Sequence, residues 1–112
     1  MNYKPILVVA GEPKSIFYEI FFKSIKAKKF KSPIILIASR KIIKKEVKKY
    51  KYKKNISEIA DINLNLKKNS LYFINVNFPK NKNLNNKKIN SNIYVNNCFK
   101  KAFKILGDKV QI

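Results

Sequence analysis

The chain has 112 residues, of which 26 are basic, 6 are acidic and none is histidine, so its formal net charge at pH 7 is +20. With 46% apolar residues it can bury one core, while its single cysteine excludes a disulfide framework and is typical of a reducing compartment. The first apolar stretch, Ile6 to Ala10, has only five residues, too few for a signal peptide or a membrane span, so we expect a cytoplasmic protein without a membrane partner.

Lysine supplies nearly all of the positive charge, because Arg40 is the only arginine. Such a basic chain raises the question of nucleic acid. Tyr50 and Tyr52 lie among lysines and could stack on bases, but no recognised RNA-binding motif surrounds them. A drift toward AT-rich codons, which encode lysine, asparagine and isoleucine, would produce the same excess. We therefore expect non-specific attraction to polyanions at low salt and no specific nucleic acid partner, with a small lysine-rich nucleic-acid-binding module as the alternative.

The stretch from Pro5 to Ile25 predicts a strand, a loop and a helix. Ile6 to Ala10 is continuously apolar and β-branched, which is typical of a parallel strand covered on both faces. Gly11 and Pro13 end this strand, because glycine reaches backbone angles closed to other residues and proline lacks an N–H. The helix that follows has an apolar stripe at helical spacing. Its members are Ile16, Phe17, Ile20, Phe21 and Ile25.

The middle of the chain continues the alternation of strands and helices. Ile34 to Ala38 repeats the buried-strand pattern and completes a βαβ unit with a parallel pair. Ser39 is a plausible N-cap for a lysine-coated helix that ends near Tyr50. The segment from Ile56 to Ile62 is either a short strand or an irregular edge, whereas Leu71 to Val76 predicts a clear strand. The apolar face predicted for the helix consists of Ile42, Ile43, Val47 and Tyr50.

The last third of the chain predicts a loop and one helix. Lys80 to Asn92 is rich in lysine and asparagine and predicts an exposed loop, whose functional alternative is a lid over a cleft. Asn92 is expected to cap a helix that ends near Leu106, with Gly107 as the residue that stops it, and Cys98 lies in it as a small packing residue. Lys109 to Ile112 looks like the beginning of another strand. The predicted buried stripe of the helix is Val95, Phe99, Ala102, Phe103 and Leu106.

The residues from Gly11 to Ile20, GEPKSIFYEI, resemble the amino-terminal signature of the 4-hydroxythreonine-4-phosphate dehydrogenases, NAD-dependent oxidoreductases of pyridoxine and pyridoxal phosphate biosynthesis. That family has Gly, Asp or Glu, Pro, a free position, Gly-Ile-Gly-Pro and Glu after its first strand. The matching positions are Gly11, Glu12, Pro13, Ile16 and Glu19. The departures are Ser15 and Phe17 in place of two glycines, and Tyr18 in place of the proline.

The resemblance implies a two-lobed fold like that of isopropylmalate and isocitrate dehydrogenases. Residues 1–112 would form one amino-terminal α/β segment of a larger chain, a mostly parallel βαβ-type sheet with flanking helices. It also implies a homodimeric, metal-dependent enzyme. Such an enzyme oxidises and decarboxylates the phosphorylated substrate 4-phosphohydroxy-threonine, and it uses NAD and a divalent metal. It places Gly11, Glu12 and Pro13 beside the cofactor cleft. The family holds its metal with histidines, so we expect this chain alone to contain no catalytic or metal-binding residue, to bind neither cofactor tightly and to be inactive.

Three charged side chains near this loop each have two interpretations. Lys14 either meets a phosphate near the start of the helix or is a solvent-exposed loop residue. Glu12 either shapes the cofactor cleft, as the resemblance implies, or accepts hydrogen bonds from N–H groups at the start of the helix. Glu19 is predicted to pair with Lys23 rather than to act in catalysis. With only two glycines in the chain, the dinucleotide and Walker fingerprints are both absent.

Overall fold

The centre of the protein is a four-stranded sheet in which every pairing is parallel. The computed structural model describes residues 4–13, 16–27, 30–62, 66–67, 70–79 and 87–107, and for residues 87–89 the backbone alone. The strands are β1 (Ile6–Val9), β2 (Ile34–Ala38), β3 (Ile56–Glu58) and β4 (Leu71–Asn75), and they lie in the order β1-β2-β4-β3. The predicted α/β class, with a parallel sheet and flanking helices, is confirmed. The segment that had two interpretations forms a short strand at the sheet's edge.

Helices cover the two faces of the sheet. The helices are α1 (Phe17–Ala27), α2 (Arg40–Lys49) and α3 (Lys87–Gly107). Successive side chains of a strand point to opposite faces, so in β2 Leu36 and Ala38 pack with α1 and α2, whereas Ile35 and Ile37 pack with α3. All five residues of β2 are buried. β2 is therefore the strand around which both halves of the core are built.

β1 is less buried than its apolar sequence predicts. Ile6 is 50% exposed, and the remaining three residues of the strand are half-buried. Among the described strands only β2 pairs with β1, so β1 lies at an edge of the sheet. Val8 packs against one core cluster and Leu7 and Val9 against the other, so the predicted cover on both faces is present but incomplete. Ala10, just beyond the strand, is buried and donates its N–H to the Ile37 carbonyl oxygen at 3.1 Å.

The face that α1 buries agrees only in part with the predicted stripe. Tyr18, Phe21 and Phe22 are buried, while Ile16 and Ile20 are 68% and 56% exposed. Of the predicted stripe, Phe21 is thus buried, and Phe17 and Ile25 are partly buried against the core. Two apolar stripes at helical spacing coexist in this sequence. The stripe with the larger aromatic rings faces the sheet, because burying those rings removes more apolar surface from water. The predicted surface pair is confirmed, since Lys23 Nζ lies 3.0 Å from Glu19 Oε1.

α3 also begins and faces differently from the prediction. It starts at Lys87, so Asn92 lies inside the helix rather than at its cap, and Gly107 is its last residue rather than the residue after it. The buried residues are Tyr94, Cys98, Ala102 and Ile105, while Phe99, Phe103 and Leu106 are exposed. Of the predicted stripe, Ala102 is buried and Val95 is partly buried. The predicted packing role of Cys98 is confirmed.

Large and small residues share the buried face of α3. Cys98 and Ala102 pack against the sheet together with Tyr94 and Ile105. The rings of Phe99 and Phe103 stack on each other outside, with centroids 6.5 Å apart. Residues 80–86 of the predicted loop and the predicted strand at Lys109 to Ile112 lie outside the described residues. Within the described part of the chain, no helix is long and apolar enough to cross a membrane.

The carboxyl end of α2 has a Schellman motif. Lys51 has a φ of 53°, in the left-handed region. Its N–H donates to the Lys48 carbonyl oxygen at 3.3 Å, and the Tyr52 N–H donates to the Val47 carbonyl oxygen at 3.1 Å. These bonds turn the chain away from α2 and toward β3. Lys26 Nζ donates a further hydrogen bond to the Tyr50 carbonyl oxygen, which ties α1 to this turn.

Candidate ligand-binding site

The carboxyl ends of β2 and β4 enclose a crevice. After β2 the chain enters α2 on one face of the sheet, and after β4 it continues toward α3 on the other face. Neighbouring parallel strands whose connections leave to opposite faces form a topological switch point, which is where open α/β sheets bind ligands. The crevice has a volume of about 690 Å³. It is lined by Ser39, Arg40, Lys41, Ile42, Asn75, Asn77, Phe78 and Pro79.

The first turn of α2 forms one wall of this crevice, and neighbouring elements hold that turn in place. The Ser39 N–H donates to Tyr94 Oη at 2.7 Å, and the Arg40 N–H donates to Asn75 Oδ1 at 2.8 Å. The first bond within the helix runs from the Ile43 N–H to the Ser39 carbonyl oxygen at 2.9 Å. The start of α2 is thus fixed by α3 on one side and by β4 on the other.

Ser39 occupies the predicted N-cap position with an extended backbone, but its hydroxyl caps no N–H of the helix. Ser39 is only 3% exposed and lines the crevice. An N-cap serine normally accepts a hydrogen bond from one of the first helical N–H groups. The predicted position is therefore confirmed, whereas the expected capping bond is absent among the described residues.

Arg40 braces the crevice through an ion pair with β3. Its Nε and Nη2 atoms donate to the two carboxylate oxygens of Glu58 at 2.6 and 2.7 Å. This paired geometry suits the planar guanidinium group. The hydrogen bond from Arg40 holds the pKa of the Glu58 carboxyl below its ordinary value, and the same contact raises the pKa of Arg40. The charge of Arg40 is therefore paired with Glu58 of the edge strand β3 and is not available to a ligand.

Tyr94 supports the site from behind. It is a residue of α3 and is fully buried. The centroid of its ring lies 5.2 Å from that of the Phe78 ring. Burial raises the pKa of its hydroxyl. Because its pKa is raised, the Tyr94 hydroxyl remains protonated, and its oxygen accepts the hydrogen bond from the Ser39 N–H. The chain reaches this arrangement because Tyr94 lies on the same face of α3 as Cys98 and Ala102.

The loop formed by Gly11, Glu12 and Pro13 follows β1 and so lies at the same edge of the sheet as the crevice. None of these three residues lines the crevice, and Glu12 is exposed. Gly11 has no positive φ, so the prediction that this turn needs backbone angles closed to other residues is wrong. Lys14 lies outside the described residues.

The described residues do not fit a divalent metal. Among them, no group of three or more histidine, cysteine, aspartate or glutamate side chains comes together. The sequence has no histidine, which is the residue type that holds the metal in the family that the loop resembles.

A second hollow, of about 670 Å³, lies between α2 and β3 and has a rim of lysines. Tyr52 contributes to its lining, but this residue is only 9% exposed. The rings of Tyr50 and Tyr52 pack against Phe22, at centroid distances of 5.9 and 5.3 Å. The tyrosines singled out for base stacking are thus engaged in the core. The lysines on the rim are Lys44, Lys45, Lys48, Lys53 and Lys54.

Sequence reasoning did not single out Asn75, Asn77 or Tyr94 as site residues. Asn75 and Asn77 carried a usable signal, because they are polar residues that follow the apolar run LYFI at the carboxyl end of a strand. Tyr94 carried none, since its role depends on which face of α3 meets the sheet. The Nδ2 atom of Asn75 donates to Asn77 Oδ1 at 3.0 Å, which orders the β4 side of the crevice.

The chain was compared with protein families, curated proteins and solved structures. No protein-family model matches the chain, and neither the curated proteins nor the solved structures provide a match.

Proposed function

We propose that this chain is an α/β unit of an NAD-dependent oxidoreductase similar to the 4-hydroxythreonine-4-phosphate dehydrogenases, which act on a phosphorylated hydroxy amino acid. The observation that carries the proposal is the placement of the Gly11 to Pro13 loop. This loop shares the carboxyl edge of a parallel sheet with the crevice between β2 and β4. The resemblance implies a cofactor cleft at this edge of the sheet, and the presence of a crevice there supports the proposal.

The unit would bind and orient ligands, and further residues would supply the chemistry. NAD, when bound, supplies the hydride acceptor for oxidation of a secondary alcohol. The start of α2 offers N–H groups suited to an anionic part of a ligand. The divalent metal of the resembled family has no ligand set among the described residues, so we expect no turnover by the 112-residue chain by itself.

The test uses the protein as its source cells contain it, with its intact mass measured first. We expect this protein to form NADH from 4-phosphohydroxy-threonine in the presence of a divalent metal. Glu12→Gln should raise the KM for NAD several-fold, because the resemblance implies that Glu12 lies beside the cofactor. The matched control is Glu19→Gln, which removes the same charge from a surface pair with Lys23 and should leave KM unchanged. Absence of NADH formation by the native protein would refute the proposal.

A second candidate function, polyanion binding, is favoured by the lysine rim of the hollow between α2 and β3. The residues that line this hollow include five lysines and no acidic residue. Because Tyr50 and Tyr52 pack on Phe22, such binding would depend on phosphate contacts rather than on base stacking. Its salt dependence separates it from the first candidate.

A further inference from the structure

We propose that the crevice between β2 and β4 is a binding site for a phosphate group, formed by the Ser39 hydroxyl, the N–H groups of Lys41 and Ile42, and the Lys41 ammonium. The inference deepens the proposed function and rests on it only for the expectation that the physiological ligand is phosphorylated.

The first donors are the backbone N–H groups of α2. A helix leaves its first four N–H groups without a partner inside the helix. Here the N–H groups of Ser39 and Arg40 are taken by Tyr94 and Asn75. No described residue accepts a hydrogen bond from the N–H of Lys41 or Ile42, and both residues line the crevice. Two donors at the positive end of the helix dipole are therefore available to an anion.

The second observation is the Ser39 hydroxyl, which points independently to a ligand. Ser39 is 97% buried, lines the crevice and uses its hydroxyl for no cap. A hydroxyl is a hydrogen-bond donor, so a ligand oxygen in the crevice would accept a hydrogen bond from Ser39.

Charge at the start of α2 has the sign that an anion requires. The first turn contains no acidic residue, although acidic residues are the ones that the helix dipole favours there. It contains Arg40 and Lys41 instead. Because Glu58 neutralises Arg40, the remaining charge is that of Lys41, which forms no ion pair among the described residues. A bound dianion would relieve the repulsion between Lys41 and the helix terminus.

The arrangement favours phosphate over carboxylate. Two N–H groups and one hydroxyl make three donors, which match the several oxygens of a tetrahedral phosphate better than the two oxygens of a carboxylate. Asn77 accepts from Asn75 through Oδ1, so its NH₂ group remains as a further donor in the lining. Ile42, Phe78 and Pro79 form an apolar wall suited to the organic part of a phosphomonoester.

The test is a titration of ¹⁵N-labelled protein, observed by amide NMR, with inorganic phosphate, phosphoserine and acetate as separate probes. The ionic strength is held at about 0.15 M, where attraction between distant exposed charges is largely screened. We expect saturable shifts of the Lys41 and Ile42 amide signals with both phosphate probes and much smaller shifts with acetate. Equal shifts with acetate would contradict the preference for phosphate.

Variants separate a built site from the general attraction of a basic protein. Ser39→Ala should weaken phosphate binding several-fold without lowering the Tm, because the hydroxyl caps nothing in the helix. Lys41→Gln should weaken binding as well. The matched control is Lys48→Gln, which removes the same charge from the same helix at the other hollow and should leave binding unchanged. Equal loss in Lys41→Gln and Lys48→Gln, or no shift at Lys41 and Ile42, would overturn the proposal.

The binding result and the activity result are independent. Phosphate shifts in a protein that forms no NADH would refute the dehydrogenase proposal and retain the phosphate site. NADH formation by a protein whose Lys41 and Ile42 signals do not respond would retain the enzyme and refute the site.

Discussion

Tyr94 joins α3 to the start of α2 through one buried hydrogen bond. Tyr94→Phe removes the acceptor of the Ser39 N–H and should lower the free energy of unfolding by about 1–3 kcal/mol, because that donor is left unsatisfied in a buried place. Urea denaturation would measure the change. The matched control is Tyr72→Phe, which removes a hydroxyl that accepts a hydrogen bond from the Lys67 N–H. Because this N–H is exposed, water can accept its hydrogen bond in the variant. Equal losses in both variants would contradict the special role of Tyr94.

Cys98 is a buried thiol, and burial raises its pKa to about 11 from an ordinary value of 9.0. The folded state then holds the proton more tightly than the unfolded state. The thiol's contribution to stability is fully present below pH 9 and is lost as pH rises through about 11. Stability should therefore fall more steeply between these values in the wild type than in Cys98→Ala. Denaturation midpoints across this range give the comparison.

The reactivity of Cys98 tests the same burial in a different way. The thiolate is the reactive form, so the folded protein at pH 8 should react slowly with iodoacetamide and the urea-unfolded protein quickly. Similar rates in both states would show that the thiol is accessible, contrary to its position against the sheet.

At the scale of elements, the turn after α2 contains a residue that is poorly suited to its backbone conformation. Lys51 has a φ of 53°, which costs a residue with a Cβ about 1 kcal/mol relative to glycine. Lys51→Gly should therefore raise the free energy of unfolding by up to about 1 kcal/mol. Part of this gain is offset because glycine increases the conformational entropy of the unfolded chain. Lys53→Gly, at a described position without a positive φ, is the control and should not stabilise. Thermal unfolding of both variants would check the difference.

The helices also show which predictions depend on tertiary contacts. The presence and approximate position of α1, α2 and α3 followed from periodicity, but α1 and α3 each had two plausible apolar stripes. In α3 the stripe with Cys98 and Ala102 is buried, and the bulkier Phe99 and Phe103 remain exposed. Periodicity could not choose between the stripes, because the choice depends on the space between helix and sheet.

At the scale of the whole molecule, the net charge of +20 predicts binding to polyanions that depends strongly on salt. The affinity for a single-stranded RNA, measured by filter binding, should fall steeply as salt rises from about 50 to 200 mM, because counterion release drives such binding. Lys53→Gln combined with Lys54→Gln should reduce the salt slope, since both residues belong to the rim of the hollow between α2 and β3. Tight binding that persists above this salt range would favour the nucleic-acid function instead.

The alternation of strands and helices, the α/β class with a mostly parallel sheet and the loop from Gly11 to Pro13 could be predicted from the sequence, because these depend on local periodicity and turn chemistry. The strand order β1-β2-β4-β3 could not, and this order creates the switch point between β2 and β4. The tertiary structure also brought Ser39, Asn75 and Tyr94 together from segments far apart in the chain. Strand order and helix faces are set by long-range packing, which a local pattern does not encode.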